Sequence, residues 1–80
     1  DLEEAIHFYR RAVAATPEGH PDLPSRLNNL GLGLWNRYSR TGRMDDLEEA
    51  IRIYRRAVDT TPEGHPNLPL ILNNLGTGLM

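Results

Sequence analysis

Apolar residues recur along this chain at helical intervals, and they do so twice. Leu2, Ala5, Ile6, Tyr9, Ala12 and Val13 stand at i, i+3, i+4, i+7, i+10 and i+11, one stripe of an α-helix. That spacing predicts a helix over residues 1–15. Leu47, Ala50, Ile51, Tyr54, Ala57 and Val58 repeat the stripe and predict a helix over 45–60. Leu27, Leu30, Gly31, Leu34 and Tyr38 mark a further helix over 24–40, and Leu72, Leu75, Gly76 and Leu79 its counterpart over 68–80. No stretch sustains the alternation a strand requires. The expected fold class is therefore all-α, with four helices and three connections.

The connections carry their own signals. Thr16-Pro17 and Thr61-Pro62 end helices, because the residue before proline is pushed out of α geometry. A compact loop follows each, with Asp22 and Asn67 as expected N-caps of the next helix. Gly42 is placed to close the second helix. Asp45 with Glu48, or Asp46 with Glu49, can form a capping box at the third. His20 and His65 sit in identical Gly-His-Pro contexts, which suits a loop histidine closing its own turn by a hydrogen bond.

Residues 1–35 and 46–80 are near copies, identical at 26 of 35 positions. A period of forty-five residues implies stacked copies of one supersecondary unit, none able to bury its apolar face alone. Residues 1–80 are read as one domain, a piece of a longer array that enters inside one helical pattern and leaves inside another. Both outer helices are expected to expose apolar stripes and hence to favour self-association.

Composition removes most other functions. Lys and Arg number 9 against 11 Asp and Glu, for a net charge of −2 with the signs interspersed. Without a basic stripe, neither nucleic acid nor an anionic membrane is an expected partner. No apolar run is long enough to span a bilayer and no signal-peptide pattern occurs, so a cytoplasmic, intracellular setting is expected. The chain has no cysteine, and the histidines have no clustered carboxylates around them, so no metal and no cofactor is expected. Gly31-Leu32-Gly33 lies within a helix without a third glycine and cannot cradle phosphate. Ser25 and Ser39 lack a neighbouring base and orienting group. A non-enzymatic role follows, with no catalytic residues.

Leu27-x-x-Leu30-Gly31-x-x-Leu34 resembles the first helix of a tetratricopeptide repeat, W-x-x-L-G-x-x-Y. Ala50, Tyr54, Ala57 and Pro62 resemble its second helix and terminal proline, and Ala5, Tyr9, Ala12 and Pro17 repeat that spacing. The usual period is about 34 residues. The longer one here, with its HPD and LNNL segments, is similar to kinesin light chain repeats. It is closer to tandem arrays of fungal and bacterial proteins beside caspase-like or nucleotide-switch signalling domains. The resemblance implies an α-solenoid of antiparallel helix pairs with right-handed superhelical stacking. It implies a protein-binding module, in which Gly31 and Gly76 allow close helix approach and Leu27, Leu30, Leu34 and the small residues above fill the contacts.

The candidate binding residues lie on the second and fourth helices. Asparagine is a mediocre helix former, so the pairs Asn28-Asn29 and Asn73-Asn74 call for a reason. One of each pair can face a groove and offer donor and acceptor to a peptide main chain, as the resemblance implies; the other can bridge helices. Leu32, Trp35, Asn36 and Thr77 extend this candidate face. Trp35 is either an interface anchor or a member of the core. The expected partner is a protein or peptide, and the alternative is a structural segment that assembles through its end helices.

Overall fold

The computed structural model describes residues 1–79; the expectation that the last helix reaches Met80 lies outside them, as does the placement of the Leu79 side chain. Four α-helices make up the described chain: α1 (Leu2–Ala14), α2 (Leu23–Thr41), α3 (Met44–Thr60) and α4 (Leu68–Leu79). Asp1 caps α1, its carboxylate accepting the Glu4 N–H at 2.8 Å. Gly42 ends α2 in the left-handed region, φ 72°, and its N–H returns to the Tyr38 carbonyl at 2.7 Å. Glycine adopts that conformation without the Cβ clash other residues suffer.

The two long loops are built alike. Thr16 and Thr61 are buried, and each hydroxyl donates to the carbonyl four residues back, Ala12 and Ala57, at 2.6 Å. Gly19 and Gly64 then turn the chain at positive φ. The ring nitrogen Nδ1 of His20 accepts the Asp22 N–H at 3.0 Å, and that of His65 accepts the Asn67 N–H at 3.0 Å. Both histidines are therefore turn-closing residues.

Two helix starts differ from the sequence expectation. Asp22 occupies the N-cap of α2 but makes no side-chain cap bond: Pro24, in the first turn, has no N–H to offer it, and the Asp22 carboxylate lies 3.7 Å from the Arg26 guanidinium. The third helix begins at Met44 with Arg43 as N-cap and no side-chain cap, so neither aspartate forms a capping box. Asp46 is drawn to Arg37 instead, and is 4% exposed.

Helix α2 lies between α1 and α3, and α4 packs on α3 and touches α2. One cluster joins Ile6 of α1, Leu30 and Leu34 of α2, and Ala50 and Tyr54 of α3. A second joins Leu23 and Leu27 to Ala57 and Ile71 at the opposite end. Gly31 makes the α2–α3 contact possible: a Cβ there would stand 2.6 Å from Cε1 of Tyr54. Tyr54 is 1% exposed, and burial pushes its phenol pKa up to about 12. Burying a side chain of this size contributes roughly 1.5–3 kcal/mol. Ala5, Tyr9 and Ala12 are only partly buried, and Pro17 and Pro62 are exposed: the prolines punctuate the helices and fill no core.

Candidate functional site

The shared side of α2 and α4 carries the site. Ser25, Asn29, Leu32 and Asn36 are exposed on α2 at spacings of four, three and four, a single helical stripe. Thr77 is exposed on α4, with its hydroxyl donating to the Asn73 carbonyl at 3.0 Å. Between the helices opens a cleft of about 210 Å³, lined by Ser25, Asn28, Asn29, Asn67, Leu70 and Ile71. None of these groups is charged.

The asparagines divide their work. Asn74 donates its amide to the Asn28 side-chain oxygen at 3.0 Å, a part-buried bond tying α4 to α2. Asn29 and Asn73 are exposed. The bridging member is thus the first of one pair and the second of the next. Trp35 is half-buried against the core, its Cδ1 3.8 Å from where a Cβ on Gly78 would stand. It is held inside the helix contact, while Leu32 and Asn36 remain available.

Ser25, Asn67, Leu70 and Ile71 belong to the cleft but not to the sequence reading. Ser25 could have been found by stepping back one helical turn from Asn29. The sequence marks Asn67 only as an N-cap. Ile71 gives no signal, since its counterpart is Arg26, which reaches the Thr16 hydroxyl instead.

Charge is gathered elsewhere. Arg37 donates to both carboxylate oxygens of Asp46, at 3.0 and 2.8 Å, and to Glu3 at 3.0 Å, linking α2 to α3 and α1. The Arg37 guanidinium holds the Asp46 carboxyl below its usual value, and Asp46 in turn raises Arg37. Arg10 pairs with Glu49 through two hydrogen bonds, joining α1 to α3 and lowering the Glu49 pKa. Arg56 reaches Glu18 at 2.6 Å. Arg10 and Arg56 therefore stitch elements together while remaining exposed.

A family model for the tetratricopeptide repeat matches residues 25–67, more than half of the chain. The chain belongs to the tetratricopeptide repeat family. The match begins on α2 and ends in the loop after α3, so one family unit corresponds to that pair of helices. No match was found among curated proteins or among solved structures. Tetratricopeptide repeats generally mediate protein–protein interaction. Among the described residues no group of three or more His, Cys, Asp or Glu could hold a metal, and no helix is long and apolar enough to cross a membrane.

Proposed function

We propose that this tetratricopeptide repeat protein binds an uncharged, extended segment of another protein along the shared side of α2 and α4. The observation that carries this reading is the uncharged stripe of Ser25, Asn29, Leu32 and Asn36 beside the α2–α4 cleft. Amides at Asn29 and Asn36 offer donors and acceptors that match a peptide main chain. Leu32, 45% exposed, offers an apolar contact between them. Asn28 and Asn74, by holding α2 to α4, position the face instead of contacting the ligand. In this reading the pairs stack as a right-handed α-solenoid with the face on its concave side. The chain then serves as a non-enzymatic scaffold, in a cytoplasmic signalling setting. Peptides selected against the chain from a random display library test it. Affinity should fall about tenfold in Asn29→Ala or Leu32→Ala, the scale of an ordinary hot-spot truncation. Undiminished affinity in both variants, with helicity intact, overturns the reading.

A second reading is self-association through α1 and α4. It is favoured by the exposure of Phe8 on α1 and of Leu70 and Leu72 on α4.

A further inference from the structure

The loop leading into α4 is closed by a bond that only a neutral imidazole can make, and the residue it holds lines the cleft. Nδ1 of the half-buried His65 accepts the Asn67 N–H at 3.0 Å. Asn67 forms the cleft wall together with Leu70 and Ile71. Its carbonyl accepts the Ile71 N–H at 3.1 Å, so the placement of Asn67 is passed on to the first turn of α4. The other bonds of the loop run between backbone groups and do not titrate: His65 N–H to the Pro62 carbonyl at 3.0 Å, and Leu68 N–H to the His65 carbonyl at 3.1 Å. A protonated imidazole carries a hydrogen on both ring nitrogens. Nδ1 would then aim a donor at the Asn67 N–H, and the ring must turn away.

We propose that His65 is a proton-operated latch on the α2–α4 face. When neutral it holds Asn67 and the start of α4 in place for the ligand, and when protonated it releases them. The inference rests on the peptide-binding reading of that face and names how the face is regulated. Histidine is the side chain whose charge ordinarily changes between about pH 5 and 8.

The charged groups on the elements that meet this loop leave the response to His65. Helix α4 carries none. At the start of α2, Arg26 is engaged by Asp22 and by the Thr16 hydroxyl. In the last turns of α3, Arg56 is taken by Glu18, and Arg55 and Asp59 are exposed, as is Glu63 in the loop itself. The Asp46 and Glu49 carboxyls, held below their usual range by Arg37 and Arg10, stay ionised down to about pH 5.5. His20 makes the same bond to the Asp22 N–H at 3.0 Å, but Asp22 stands outside the cleft, so the first loop is an internal control.

Two readouts between about pH 8 and about pH 5.5 test this: the Asn67 amide ¹⁵N–¹H signal of the free chain, and its affinity for a display-selected peptide that has blocked termini and no Asp, Glu or His. His65→Asn puts a side-chain oxygen where Nδ1 accepts, and asparagine bonds the N–H two residues on without titrating. His65→Ala has no acceptor at any pH. Wild-type affinity should fall about three- to tenfold as pH drops, the scale of one hydrogen bond. His20→Asn should follow wild type, His65→Asn should keep its pH 8 affinity throughout, and His65→Ala should bind at pH 8 as weakly as wild type does at pH 5.5. The Asn67 signal should move with pH in wild type and in His20→Asn, and stay fixed in His65→Asn. An Asn67 signal that follows pH in His65→Asn overturns the latch. So does a peptide affinity that is flat with pH in wild type, or that falls equally in His65→Asn; both leave the binding face in place. A chain that binds no peptide at pH 8 overturns the binding reading and the latch with it.

Discussion

Gly31 and Gly76 are the same residue in two copies of one sequence, yet their surroundings are opposite. Tyr54 presses on Gly31, so Gly31→Ala brings its new methyl within 2.6 Å of a ring with no free space behind it. The helix gains up to about 1 kcal/mol from replacing glycine, but overpacking costs about 1–3 kcal/mol. Net destabilisation is expected. Gly76→Ala meets nothing and should stabilise the dilute monomer by up to about 1 kcal/mol, through helix propensity alone. Urea unfolding of the two variants checks the pair; equal effects would show that identical sequence, not contact, sets the role of these glycines. The sequence showed that a mid-helix glycine had a structural reason. It could not show which copy was occupied, because the occupant lies on another helix.

Helix identity was legible in the chain because period and punctuation agree: stripes at 3.6-residue spacing, threonine-proline stops and Gly42 all act locally. Helix starts were less legible, and the reason is electrostatic. Asp46 stands in the first turn of α3, where a carboxylate suits the helix dipole. It is also within reach of the Arg37 guanidinium from α2, and two charge-assisted hydrogen bonds outcompete a local cap. No sequence rule pairs residues 37 and 46 across a turn. This contact joins α2 to α3 and, through Glu3, to α1, so its loss should be felt by the whole bundle. Asp46→Asn should cost about 2 kcal/mol, the scale of a hydrogen-bonded charged group lost from a buried position. Its pH dependence has a definite sign. The folded carboxyl lies below its unfolded value of about 3.9. The unfolded chain therefore takes up the proton first as pH falls. The contribution is complete above about pH 4 and disappears as pH drops through the lower folded value. Thermal melts from pH 7 to pH 2 should show wild type losing its advantage over Asp46→Asn in that acid range. A constant difference across it would mean that the carboxylate charge is not what Arg37 holds.

Across the whole molecule, one repeat register accounts for both the core and the surface. The residues that bridge helices, Asn28, Asn74, Arg37 and Arg10, are separated from those left free on the α2–α4 side, chiefly Asn29, Leu32, Asn36 and Thr77. Within the asparagine pairs, the packing of α4 on α2 decides which amide is spent on the fold, and that packing is a property of the assembled bundle. The stripe from Ser25 to Asn36 is uncharged while most charged groups lie on α1, α3 and the loops, an arrangement that suits the main-chain recognition proposed for it. The most direct measurement is an amide ¹⁵N–¹H titration of the chain with a display-selected peptide. Shift changes should concentrate at Asn29, Leu32, Asn36 and Thr77, leaving Arg52, Arg55 and Asp59 unmoved. Changes centred on α3 or on the loops after α1 and α3, with the α2–α4 face silent, would contradict the account.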